Sequence, residues 1–301
     1  MEINFYNRLT RSIEIEKVYG DKLVEWLYQS NSGKTLSQLI CKPPLSKLYG
    51  AIQNTSWSKN KIAPFIKNFN IPMDEYIAES SDTKFPYSSF NQFFIRKFKE
   101  GKRSFVQGPE EMAAFSEARY FGYESIADNE SIPVKSVYLK PKELINNKLW
   151  EETFCDGPLL LARLCPVDYH RFHYPDDGIV LDDYRVEGLL HSVNPLALKA
   201  KQDILITNER HVTILETKNF GKLAYIEVGA ICVGKIVQSK NLVKGNTFKR
   251  GDEKGYFLFG GSTVIVIGEK GKWKPSLDIL EYTQKGIETY LQLGMSVAKR
   301  G

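Results

Sequence analysis

The chain has 301 residues, of which 42% are apolar and 26% charged, with a formal net charge of +5. That composition suits a folded protein built as one large domain, or a domain with an appendage, around a substantial core. The mild charge argues against a dedicated nucleic-acid binder and leaves an acidic surface as a partner, and no apolar run approaches the ~20 residues that span a bilayer.

The segment from Met1 to Lys17 carries many charges and lacks an apolar h-region, so no secretion signal is visible. Cys41, Cys155, Cys165 and Cys232 lie far apart with no CxxC pair, which suits a reducing compartment and offers no metal site. The expectation is an intracellular protein.

From about Ile15 to Phe98 the pattern predicts short helices broken by turns. Helical spacing occurs at Leu23, Trp26 and Leu27, at Leu36, Leu39 and Ile40, and at Ile62, Phe65, Ile66 and Phe69, with Pro43-Pro44 and Pro72 between them. No acidic residue falls between Glu25 and Asp74, whereas Lys34, Lys42, Lys47, Lys59, Lys61 and Lys67 all do. Two readings stand: a solvated helix surface, or an interfacial segment whose apolar face enters lipid while its lysines meet anionic head groups.

Beyond about Met112, Val, Ile, Tyr and Phe alternate with Gly, Asn and Asp turns, which predicts strands. The clearest are Leu159 to Leu164, Leu223 to Ile236 and Tyr256 to Ile267, and Ile279 to Met295 reads as a closing helix. The fold class is α+β, with a helical N-terminal region on a mostly antiparallel β body. The division is expected at residues 1–105 for the membrane-associating helical region and 106–301 for a β-rich catalytic domain.

Inside the third of these strands stands Gly260-Gly261-Ser262-Thr263. A serine there is a turn residue, a nucleophile, or one side of a bond that the protein breaks in itself. In the last case Gly261 admits strained backbone angles, and the Ser262 hydroxyl reaches the preceding carbonyl in an N-to-O acyl shift. β-Elimination of the ester and hydrolysis with loss of ammonia leave a pyruvoyl group. The hydroxyl needs a base, and the base an orienting carboxylate. A pyruvoyl ketone then condenses with a substrate amine and acts as an electron sink.

The chain has four histidines. His170 and His173 lie in Asp168-Tyr169-His170-Arg171-Phe172-His173, where they are packed structural residues, two metal ligands lacking a third, or proton carriers near neutral pH. His191 and His211 have no such company and read as structural.

Phe90-Asn91-Gln92-Phe93-Phe94-Ile95-Arg96-Lys97, then Asp168 to His173, then Val228-Gly229-Ala230 with Val233-Gly234, then Gly255 to Thr263 occur in order. Ser192-Val193-Asn194-Pro195-Leu196 and Asn208-Glu209-Arg210 add to them. Together, from about Tyr6 to Lys299, they resemble the phosphatidylserine decarboxylase family, in particular its GGST-type bacterial members. The resemblance implies that Ser262 becomes a covalent pyruvoyl cofactor and that the bond between Gly261 and Ser262 is cut. The products would be a β chain of residues 1–261 and an α chain of residues 262–301 that stay partners.

It also implies His173 as the charge-relay histidine of self-cleavage and His170 as a second active-site histidine. Phosphatidylserine would be the substrate, losing carbon dioxide to give phosphatidylethanolamine. The expected place is the cytoplasmic face of the cell membrane, bound peripherally to an anionic surface, with a homodimer as an admissible assembly and no nucleic acid. One departure stands out. Where the family carries a Pro-Ala-Asp-Gly-like stretch, this chain has Phe115-Ser116-Glu117-Ala118-Arg119-Tyr120, which puts Glu117 at the acid position, one methylene longer than aspartate, and Ala118 where glycine is usual. Either Glu117 orients the base, or maturation is impaired. The competing functions are a pyruvoyl decarboxylase of another amine and a cleavage-deficient lipid-binding homologue.

Overall fold

The computed structural model describes residues 3–17, 26, 30, 41, 50–82, 86–126, 131–132, 137–138, 140–193, 195–230 and 235–301. The helical spacings around Leu23 and Leu36, with Lys34, Lys42 and Lys47, fall almost wholly outside them, as do Val233-Gly234. The helix expected at Ile62 is present as Ile62–Phe69. It buries Ile62 and Phe65 and ends at Asn70, whose left-handed backbone closes the last turn. Ser89 caps the short helix Phe90–Phe94 by accepting the Gln92 N–H at 3.2 Å.

A ten-stranded sheet forms the body. Its order is Thr247–Phe248, Gly178–Val186, Arg210–Thr217, Gly221–Val228, Ser262–Gly268, Leu159–Leu164, Ala118–Tyr123, Glu288–Leu291, Asn4–Asn7 and Ser12–Ile15. Pairing is antiparallel throughout except between Asn4–Asn7 and Glu288–Leu291, so the body is mostly antiparallel, as expected. The chain thus opens with two strands that join this sheet before the helices begin.

Ser262–Gly268 lies in the interior of the sheet, and every one of its residues is buried. A strand covered on both faces needs no polar alternation, which is why Val264 to Ile267 is an unbroken apolar run. A separate three-stranded sheet of Ile236–Gln238, Glu253–Phe257 and Arg171–His173 meets the strand Gly221–Val228 through Phe172 on Tyr225 and Lys254 on Glu227.

Three predicted elements are corrected. Tyr256 to Ile267 is two strands in two different sheets, Glu253–Phe257 and Ser262–Gly268. They are parted at Leu258–Gly261, where Gly260 takes φ 146°, a value other residues resist. Leu223 to Ile236 likewise ends at Val228 and resumes in the smaller sheet. The closing helix spans only Leu277–Gln284. Gly286, at φ 68°, turns the chain into the strand Glu288–Leu291, where Thr289 and Tyr290 pair with Tyr120 and Arg119.

Two apolar clusters fill the interior. The larger lies around the central strands, and the smaller gathers Ile62, Phe65, Phe90, Phe93, Phe94, Tyr169, Phe259 and Leu293. Phe259 in the smaller cluster and Val264 in the larger flank the Gly260-Gly261-Ser262 segment, which therefore crosses the seam between them.

Candidate active site

Topology brings the serine and a histidine together. Ser262, at the start of its strand, is paired with Leu164, the last residue of the neighbouring strand. The chain turns at Cys165, with the Asp168 N–H donating to the Cys165 carbonyl at 2.9 Å, and returns with His170 over the serine. His170 Nε2 lies 2.9 Å from that same carbonyl, and Nδ1 lies 3.3 Å from Ser262 Oγ. A carbonyl only accepts, so Nε2 carries the proton and Nδ1 presents a lone pair to the Ser262 hydroxyl. That is the protonation state a base requires.

Burial pushes the His170 pKa down to about 3, and the nearby Arg96 charge acts in the same direction against the Cys165 carbonyl. The ring is stacked on Phe94, centroids 3.8 Å apart, which excludes water from one face. Both Ser262 and His170 are fully buried.

The turn carrying His170 is held from two sides. Asp168 Oδ2 accepts the Cys165 N–H and the Arg119 guanidinium, each at 2.7 Å. Arg96, buried and sandwiched between the Tyr76 and Phe93 rings, donates to the carbonyls of Val167 at 3.0 Å and Asp168 at 3.4 Å. Arg119 belongs to a buried ionic cluster. Its Nε is 2.9 Å from Glu16, and Arg163 binds Glu16, Glu288 and the Cys165 thiol. Burial disfavours the Glu16 charge, but Arg163 and Arg119 outweigh it and hold its pKa down at about 2. Burial raises the Asp168 pKa, with Arg119 opposing it.

The segment that precedes Ser262 is fixed from the helix Phe90–Phe94. Asn91 Oδ1 accepts the Phe259 N–H at 2.8 Å, two residues before Gly261. The Phe259 ring packs edge-on against Phe90 and Phe94, at 5.0 and 5.1 Å. A Cβ at Gly261 would come within 3.3 Å of one Val193 methyl group.

His173 and Glu117 are engaged elsewhere. His173 donates from Nδ1 to the Gly251 carbonyl at 2.9 Å, and its Nε2 faces the Tyr169 hydroxyl at 3.4 Å. Burial lowers its pKa. The Glu117 carboxylate accepts two bonds from Arg103, at 2.5 and 2.8 Å, one from the Tyr290 hydroxyl at 3.1 Å and one from the Leu293 N–H at 3.3 Å. Its four good acceptor positions are thereby used, none of them by a histidine.

A family model described as Phosphatidylserine decarboxylase matches residues 90–297. The chain is 42% identical over 296 residues to a phosphatidylserine decarboxylase proenzyme of Clostridium kluyveri, covering 98% of each chain. It is 39% identical over 298 residues to the proenzyme of that name from Clostridium tetani, covering 99% of this chain and 98% of the other. With Desulfitobacterium hafniense (strain Y51) the identity is 38% over 299 residues, again 99% and 98%. The chain belongs to the phosphatidylserine decarboxylase family.

For a member of the phosphatidylserine decarboxylase family, the residues to fit are those that would make and hold a pyruvoyl group. Ser262 fits as its precursor: the hydroxyl faces an unprotonated imidazole nitrogen in a dry site, and the preceding residues are glycines. Asn91, Phe94, Arg96 and Arg119 carry no role in the sequence reading, although each lies in a stretch quoted there. Their signal was their position within Phe90-Asn91-Gln92-Phe93-Phe94-Ile95-Arg96 and Phe115-Ser116-Glu117-Ala118-Arg119, but only the fold shows what they hold.

Proposed function

We propose that this protein is a phosphatidylserine decarboxylase that makes its own pyruvoyl group at Ser262 and converts phosphatidylserine to phosphatidylethanolamine and carbon dioxide. The observation that carries this reading is the 3.3 Å approach of Ser262 Oγ to an unprotonated His170 Nδ1, beside a Gly-Gly segment. The family membership and the proenzyme names of the relatives support it.

In self-cleavage, Ser262 Oγ attacks the Gly261 carbonyl carbon while its proton passes to His170 Nδ1. The Gly261–Ser262 C–N bond breaks, and the freed Ser262 nitrogen takes up the proton. The resulting ester loses the Cα proton and expels the Gly261 carboxylate, leaving dehydroalanine. Tautomerisation and addition of one water release ammonia and leave the pyruvoyl carbonyl. That carbonyl supplies an electrophile and electron sink for the substrate amine. Around it, Phe94 and the buried strands exclude water, and the Cys165 carbonyl orients His170. His173 and Glu117 stand outside this proton path, His173 on the Gly251 carbonyl and Glu117 on Arg103.

A lipid surface is the proposed partner of the segment Ser56–Phe69. Trp57 is 68% exposed, and Ile52 and Ile77 are exposed as well. An apolar groove of about 250 Å³ lies between Ile62, Ala63 and Ile66 on one side and Met73, Tyr76 and Tyr87 on the other. Among the described residues no helix is long and apolar enough to cross a membrane.

Intact-mass measurement of the purified protein tests the reading. Two chains are expected, the smaller starting at a pyruvoyl-modified residue 262 and turning over phosphatidylserine in vesicles. A single full-length mass after prolonged incubation would overturn the assignment.

A further inference from the structure

Attack of Ser262 on the Gly261 carbonyl needs both to be held, and one short helix touches both sides. Phe94 stacks on the His170 ring, and Asn91, three residues earlier, holds the Phe259 N–H. We propose that Asn91 is a positioning residue for self-cleavage, tying the Leu258–Gly261 segment to the helix that also seats His170. This inference rests on the reading that the chain cuts itself between Gly261 and Ser262.

Asn91 is buried, and both ends of its amide are used. Oδ1 accepts from Phe259, while Nδ2 donates to Asn54 Oδ1 at 2.9 Å and to the Gly50 carbonyl at 3.3 Å. Its backbone is also tied down, with the N–H donating to the Gln53 carbonyl at 3.1 Å and the carbonyl accepting from the Ile95 N–H at 3.0 Å. The amide therefore cannot drift or flip without losing several bonds in a dry interior.

What it holds is otherwise weakly determined. Gly260 and Gly261 lie between two strands of different sheets, and glycines have the widest choice of backbone angles. The Phe257 N–H is fixed on the His170 carbonyl at 2.9 Å, and Ser262 is fixed by its sheet register. Between these anchors, the Asn91 bond to Phe259 narrows where the Gly261 carbonyl stands relative to Ser262 Oγ. Misplacement of reacting atoms by about 1 Å can cost on the order of 100-fold in rate. Asn91 touches none of the reacting atoms and acts through the segment it holds.

The test is the cleavage rate of freshly translated proenzyme, followed by gel and mass. Asn91→Leu keeps the volume and removes both polar ends; it is expected to slow cleavage about 10- to 100-fold. Asn91→Asp, protonated in that dry site, keeps the acceptor and one donor and is expected to restore cleavage to within about fivefold of wild type. Ile66→Ala, in the same apolar cluster, controls for lost stability: at an equal fall in melting temperature it should cleave faster than Asn91→Leu. Hydroxylamine, which cuts esters, should not rescue Asn91→Leu, because the ester does not accumulate. Wild-type cleavage by Asn91→Leu, equal slowing in the control, or full rescue by hydroxylamine would each overturn the inference. If wild type itself stays one chain, the functional reading falls instead.

Discussion

A neutral imidazole buried beside a serine hydroxyl serves as a base only when something else will take the proton. With burial and Arg96 both opposing the imidazolium, His170 is a poor place to store one. In the proposed cleavage the nitrogen freed from the peptide bond is the better acceptor, so His170 would pass the proton on to it. The same environment has a pH signature. Its folded pKa of about 3 is below the ordinary value of 6.5. Between these values the unfolded chain binds a proton that the folded chain refuses. The stabilisation is present above about pH 6.5 and declines as pH falls toward 3.

In urea titrations of the uncleaved Ser262→Ala protein, this histidine alone should cost about 2 kcal/mol between pH 6.5 and 5. Adding His170→Gln should remove that slope, and an unchanged slope would mean that His170 is protonated in the fold. Processing separates His170 from Glu117. In the otherwise native chain, His170→Ala should slow cleavage at least ~100-fold. Glu117→Gln, with Arg103 and not a histidine as its partner, should slow it less than ~10-fold while lowering the urea midpoint. Equal losses would assign the carboxylate to a direct relay.

Elements announce themselves in the sequence when their burial pattern is regular. Ile62–Phe69 and Leu159–Leu164 were legible, one from a 3.6-residue apolar period and the other from a wholly apolar run. Tyr256 to Ile267 misleads because apolar character reports burial and not pairing. Both halves are largely buried, yet they pair in different sheets with Leu258–Gly261 between them. The segment Ser56–Phe69 carries a prediction of its own. Lys61 Nζ stands 5.8 Å from the exposed Trp57 ring, an aromatic and a cation together as at a membrane interface. Trp57→Ser should weaken co-sedimentation with phosphatidylglycerol-containing vesicles about tenfold, and added salt should weaken binding of the wild type. Binding indifferent to both changes would move the lipid-facing surface elsewhere.

For the whole molecule, the proposed cut falls at the start of an interior strand. Residues 262–301, the α chain of that proposal, contribute Ser262–Gly268, held between Gly221–Val228 and Leu159–Leu164, and Glu288–Leu291, held between Ala118–Tyr123 and Asn4–Asn7. Glu288 also binds Arg163, so a buried ion pair would join the two proposed products. Cleavage should therefore leave one particle in gel filtration that separates only in denaturant. Glu288→Ala, which leaves the buried Arg163 with Glu16 as its remaining carboxylate partner, should destabilise it by roughly 1.5–3 kcal/mol. Wild-type stability in that variant would show the pair to be dispensable.

The sequence by itself determined the family and singled out Ser262, His170, His173 and Glu117 as candidates, because each is a residue type in a local order along the chain. Only the tertiary structure decided which histidine nitrogen meets Ser262, that Arg103 claims Glu117, and that Asn91 holds Phe259. Those contacts join residues 92, 14 and 168 positions apart, and they depend on sheet order and turn geometry, which no local pattern encodes.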